Sequence, residues 1–66
     1  MGLDVEKIKA LRERQGLTQE EAAARAGFKS RQAWNNIESG RQAAITLQTL
    51  DKIADALGVK AKDLLK

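Results

Sequence analysis

Apolar residues in this chain recur at helical spacing between glycines, and nowhere alternate with polar ones over the length of a strand. Asp4 stands before Val5, Ile8 and Leu11, a three-residue rhythm that stops short of Gly16 and predicts a capped first helix. Thr18 followed three residues later by Glu21 has the spacing of a capping box, with Leu17 and Ala22 placed as a weak hydrophobic staple. It predicts a short helix from Gln19 to Ala26, stopped at Gly27. Ser30 is the expected cap of a third helix reaching about Ser39, before Gly40. Thr46 caps a fourth, in which Leu47, Leu50, Ile53, Ala54 and Leu57 fall within about 120° of arc, and Gly58 ends it. A last turn over residues 62–65 offers Leu64 and Leu65. The pattern predicts an all-α fold with no sheet, a compact orthogonal bundle of five short helices. Its expected core is Val5, Ile8, Leu11, Leu17, Ala23, Ala26, Phe28, Trp34, Ile37, Leu47, Leu50, Ile53, Ala54, Leu57, Val59 and Leu64.

Composition narrows the chemistry. Sixty-six residues allow one domain, residues 1–66. The chain has no Cys and no His, so disulfides, thiolate metal sites, the usual zinc ligand and the usual general base are all missing. No cofactor, metal or small-molecule ligand is expected, and no enzyme. With one Phe and one Trp, the core must be mostly aliphatic. No apolar run approaches the roughly 18 residues of a membrane span. The first residues lack the basic-then-apolar order of a signal peptide, and Glu6 spoils a myristoylation match. A cytoplasmic protein with no membrane partner is expected.

The net charge of +3 is unevenly spread. Residues 27–44 carry Lys29, Arg31 and Arg41 against Glu38 alone, while residues 1–26 balance. The middle third is where a polyanion would feel the field. On a helical wheel Ser30, Ala33, Trp34 and Ile37 share one side of the third helix. Gln32, Asn35 and Ser39 lie opposite, flanked by Arg31 and Asn36. A merely solvated face usually carries more Glu and Lys, because Asn has the poorer helix propensity. Arg and carboxamides are the groups that bond the edges of guanine and adenine. Gln19 sits at the first turn of the second helix, where free N–H groups suit a phosphate. Arg12 lies close to the apolar stripe of the first helix and needs a partner. Glu38, at the edge of the third helix's inner face, is the acid that can supply it. Trp34, three residues before Ile37 on the apolar side, reads as core rather than as a stacking platform.

Helix, glycine turn, helix over about residues 18–39 is the spacing of a helix-turn-helix. Residues 7–65 resemble the lambda-repressor-like, Cro-type (XRE-like) helix-turn-helix family. The strings that carry the resemblance are Ile8-Lys-Ala-Leu-Arg12, Gly16-Leu-Thr-Gln-Glu-Glu21, Ala26-Gly27, Ile37-Glu38-Ser-Gly40 and Leu50-Asp-Lys-Ile-Ala54-Asp-Ala-Leu-Gly58-Val. The resemblance implies a five-helix DNA-binding domain whose third helix enters the major groove. It implies base contacts from Arg31, Gln32, Asn35 and Asn36, a phosphate anchor at Gln19, and a structural Arg12–Glu38 ion pair. Thr18, Gln19, Lys29, Ser30, Ser39, Arg41 and Gln42 are then the candidates for the DNA backbone. The chain departs from the family pattern in three places. The turn before Ser30 is one residue longer, with Lys29 the extra one. Ala22 and Trp34 replace a Leu and a smaller aliphatic residue. The loop over residues 41–45 is also one residue longer than that pattern and lacks its frequent Pro.

The expected function is sequence-specific binding of double-stranded DNA by a transcriptional regulator, a repressor that occupies its operator. A homodimer on a palindromic site is the favoured arrangement. The alternatives are an isolated or engineered monomeric DNA-binding module, and an adaptor domain that binds protein on the same fold.

Overall fold

A computed structural model describes residues 2–41 and 45–66. Helix α1 (Val5–Arg14) starts at Asp4, whose carboxylate accepts a hydrogen bond from the Lys7 N–H at 3.2 Å. Helix α2 (Gln19–Ala26) has the complete capping box: Thr18 Oγ1 accepts from the Glu21 N–H, and the Glu21 carboxylate accepts from the Thr18 N–H. Gly27 ends it in the left-handed region at φ 77°, where a side chain would strain the backbone. Helix α3 (Arg31–Glu38) follows. Ser30 takes the extended cap position, but its side chain makes no capping bond, so α3 begins without the hydroxyl cap expected of it. Helix α4 (Leu47–Leu57) starts at Thr46, which accepts from the Thr49 N–H at 3.1 Å, and stops at Gly58. The closing turn is 3-10 helix, Ala61–Leu64. Among the described residues the expected bundle is thus four α-helices and one 3-10 turn.

The chain ends meet. Leu3 and Leu65 form an isolated antiparallel bridge, with the Asp4 N–H on the Leu64 carbonyl at 2.7 Å and the Lys66 N–H on the Gly2 carbonyl at 2.9 Å. A bridge between two single residues leaves no period-two signature in the sequence.

Trp34, Ile8, Ile53, Leu57 and Leu64 are the largest fully buried side chains. Around them lie Ala22, Ala23, Ala26, Ile37, Leu50, Ala54 and Ala56. The burial of Ala22 and Ala56 was not expected from their small apolar signal. Leu11, Phe28 and Val59 are half-buried against this cluster, Val5 is half-buried, and Leu17 is buried. Leu47 is a correction, because it is 80% exposed. It stands at the edge of the apolar arc of α4, about 60° from its centre at 100° per residue. As the first helical residue its side chain leans past the helix end rather than over a turn of core. The tightest helix pairing is α2 with α3, and α2 also packs on α4. The core thereby holds α3 by its inner face and leaves the outer face open.

Candidate nucleic-acid interface

The site is built from the buried side of α3 outward. Trp34 and Ile37 enter the core, and Glu38 sits where that face meets α1. Arg12 reaches it in a two-pronged pair: Nε donates to Glu38 Oε2 at 2.6 Å and Nη2 to Oε1 at 3.2 Å. Its remaining prong, Nη1, donates to the Leu17 carbonyl at 2.8 Å. The two side chains are only 11% and 5% exposed. The pair therefore ties α1, the loop before α2, and α3 together. Burial of this kind is costly unless every donor and acceptor is met, and here they are. The Trp34 indole N–H donates to Glu38 Oε2, and Gln19 Nε2 donates to Oε1 at 3.3 Å. Burial works against the charged form of Glu38. The hydrogen bonds from Arg12, Trp34 and Gln19, with the guanidinium charge, outweigh it and hold the carboxyl below the usual range.

Gln19 has a second partner. The same Nε2 donates to Asn35 Oδ1 at 3.2 Å, so α2 touches the outer face of α3 through one carboxamide. Farther out, Gln32 Nε2 donates to Asn36 Oδ1 at 2.9 Å, one turn along the same helix. Arg31 and Gln32 are exposed, and Asn35 and Asn36 are half-buried. Ser39 Oγ donates to the Asn36 carbonyl at 3.2 Å. These five side chains line one continuous polar face that carries no acid.

Two hollows flank it. One, of roughly 350 Å³, is lined by Lys9, Arg12, Gln19, Asn35, Glu38 and Ser39. The other, of roughly 420 Å³, lies beside the turn and includes Phe28, Lys29, Ser30 and Arg31. Lys29 and Arg31 stand together at the rim of this hollow. Thr18 is exposed but engaged in its capping box, and Arg41 is exposed. Gln42 lies outside the described residues.

One participant had not been singled out, and another has a second role. Lys9 lines the same groove as Arg12, three residues away on the same face of α1, a spacing visible in the sequence. Trp34 was expected in the core, but its indole also bonds Glu38 at the i, i+4 spacing that was available to find it. Among the described residues, no group of three or more carboxylates gathers as for a metal. Nor is any helix there long and apolar enough to cross a membrane.

Comparison with known proteins gives a family model described as "Helix-turn-helix", which matches residues 8–64. A Sinorhizobium fredii (strain NBRC 101917 / NGR234) protein named "Uncharacterized HTH-type transcriptional regulator y4dJ" is 47% identical over 55 residues. That alignment covers 83% of this chain and 69% of that protein. No solved structure matches the chain at comparable significance. The match takes in α2, the Gly27 turn and α3, and runs from within α1 to the closing turn: the chain belongs to the helix-turn-helix family, in its XRE-like form.

Proposed function

We propose that the chain binds double-stranded DNA in a sequence-specific way and regulates transcription by occupying an operator, with α3 lying in the major groove. The observation that carries this is the acid-free face of Arg31, Gln32, Asn35 and Asn36 on a helix whose opposite side buries Trp34 and Ile37. A carboxylate on that face would meet phosphate repulsion, and the one acid of α3, Glu38, is turned inward and neutralised by Arg12. Family membership and a relative named as a transcriptional regulator support the same function.

In this arrangement Arg31, Gln32, Asn35 and Asn36 read base edges. Lys29, Ser30, Ser39, Arg41 and Gln42 contact the sugar-phosphate backbone from either side of α3. Gln19 contributes its backbone N–H at the start of α2, beside Thr18, whose own N–H is held by Glu21. One eight-residue helix reads few base pairs, so two copies on half-sites about one helical turn apart give useful specificity.

Selection of bound sequences from a random duplex pool tests the proposal. The expected result is a palindromic consensus whose recovery falls as salt rises. Arg31→Ala should weaken binding to that consensus by about 1–3 kcal/mol and relax one base pair, while Lys29→Ala should lower the salt slope by about 1. No enrichment of any sequence overturns it and favours an adaptor domain.

A further inference from the structure

We infer that Ser30 is a phosphorylation site, and that a phosphoryl group placed on its hydroxyl by a protein kinase switches DNA binding off while leaving the domain folded. The switch rests on the proposed DNA-binding role of α3.

The chain has five hydroxyl side chains, and the fold treats one of them differently. Thr18 Oγ1 accepts from the Glu21 N–H, and Ser39 Oγ donates to the Asn36 carbonyl. Thr46 Oγ1 accepts from the Thr49 N–H and donates to Thr49 Oγ1. Ser30 makes no capping bond, and its hydroxyl bonds no other described residue. It is exposed, on extended backbone at φ -156° and ψ 162°, one position before α3. To reach Thr18 or Thr46, a kinase must break the cap of a helix. The first turn of α3 has no side-chain cap, so opening it to an enzyme costs less.

The step is a phosphoryl transfer from a nucleoside triphosphate. Ser30 Oγ forms a bond to the γ-phosphorus as the bond to the β,γ-bridging oxygen breaks. The nucleoside diphosphate leaves, and the hydroxyl proton passes to the kinase's base. Hydrolysis of the ester by a phosphatase restores the hydroxyl and releases inorganic phosphate.

The surroundings decide what the product does. Lys29 and Arg31 flank Ser30 and outnumber Glu20 around the turn-side hollow. A phosphoserine carries about -1.5 to -2 charges at pH 7 and three acceptor oxygens. Those oxygens draw in the Arg31 guanidinium and the Lys29 ammonium, two cations proposed for DNA, and cancel their charge. The phosphate also meets the DNA backbone, where like charges repel. At the start of α3 the same charge meets the positive end of the helix dipole and N–H groups that no earlier turn can bond. The modification therefore opposes DNA binding and favours the helix that would do the reading. A general loss of folding does not produce that combination of signs.

A kinase is first chosen because it labels a peptide of residues 24–36, in which Ser30 is the one hydroxyl. It is then given the folded whole chain with ATP. Mass spectrometry should find a single added phosphoryl group on Ser30, and none in Ser30→Ala. The labelled chain should melt no lower than the unlabelled one. Its affinity for the selected consensus should fall by about a hundredfold at low salt. The slope of log affinity against log salt should become shallower by about two. Phosphatase treatment should restore binding. A folded chain left unlabelled, or labelled at another hydroxyl, overturns the site. A labelled chain that binds the consensus as tightly as before, or melts several degrees lower, overturns the switch and leaves the DNA-binding reading intact. If the unlabelled chain selects no duplex, that reading fails and the switch with it, whatever the labelling shows.

Discussion

Helices α2 and α3 are each eight residues long, joined by a glycine turn, and stabilised in opposite ways. Helix α2 reads Gln-Glu-Glu-Ala-Ala-Ala-Arg-Ala. It has four alanines, acids in its first turn, Arg25 in its last, a complete capping box and a left-handed glycine at its end. Nearly every local preference favours helix. Helix α3 reads Arg-Gln-Ala-Trp-Asn-Asn-Ile-Glu, with no acid in its first turn, no base in its last and no side-chain cap. Eight residues of that kind would not hold a helix in water. What holds α3 is tertiary: Trp34 and Ile37 in the core and Glu38 on Arg12. Because its helicity comes from the inner face, the outer face is free to carry residues chosen for other reasons. The proposed base-reading role uses that freedom, since base edges and not helix propensity then govern the choice of Arg and Asn there.

The comparison breaks most severely if the tertiary anchor of α3 is removed. Glu38→Ala leaves Arg12 buried with one carbonyl partner and deprives the Trp34 indole of its acceptor. The expected loss is about 3 kcal/mol of unfolding free energy. In a chain of this size that lowers the melting temperature by on the order of 15 °C. The double change Arg12→Met with Glu38→Leu should recover part of it, because an apolar pair of similar volume needs no solvation, while the Trp34 indole still lacks its acceptor. Urea unfolding followed by circular dichroism measures both. An unaltered midpoint in Glu38→Ala would show that α3 does not depend on the pair.

Acid should separate the two helices next. Glu21 at the start of α2 has a carboxyl held below the usual range by the backbone and side-chain hydrogen bonds of Thr18. Glu38 in α3 is also lowered. For both, the stabilising contribution is complete above the ordinary glutamate pKa of about 4.3. It disappears as the pH falls through the lower folded values, where the native state must take up the proton. Trp34 is the chain's one tryptophan, and it bonds Glu38. Its fluorescence should therefore change over that acid window in the unaltered chain and in Glu21→Gln, but not in Glu38→Gln. A change that follows Glu21 instead would assign acid sensitivity to α2.

The same division explains which features were legible in the sequence. Features set within a few residues were readable: Asp4, Thr18 and Thr46 as caps, Gly27 and Gly58 as stops, and the apolar stripes of α1 and α4. The partner of Arg12 was readable for a different reason. A cation beside an apolar stripe needs an acid, and α3 has one. Leu47 misled because periodicity alone does not register that a helix's first residue overhangs its end. Ala22 and Ala56 were passed over because burial of a methyl group depends on what packs above it. In the candidate site, the outer face of α3 follows from spacing alone. The bonds from Gln19 to Asn35 and Glu38 do not, because they cross sixteen and nineteen residues of chain through a turn of unknown geometry. The polar face was thus legible in the sequence, while the bonds that Gln19 makes across it required three-dimensional neighbours.

The smallest effect lies at the two helix starts, where Thr18 and Ser30 occupy equivalent positions and do different things. Thr18 satisfies the Glu21 N–H through its hydroxyl at 3.0 Å and receives the Glu21 carboxylate in return. Ser30 is also extended, with a φ of -156° against -77° at Thr18, and makes no such bond. Thr18→Ala should therefore cost about 1 kcal/mol, the usual value of an N-cap. Ser30→Ala should change stability by no more than about 0.5 kcal/mol, as at a surface position without a special contact. On DNA the order should reverse. A hydroxyl not committed to its own helix, between Lys29 and Arg31 at the rim of the turn-side hollow, is available to a phosphate oxygen. Ser30→Ala should then weaken binding to all duplexes alike, with the melting temperature unmoved. Equal stability losses in the two variants would mean that Ser30 caps α3 in solution and that the two starts are alike.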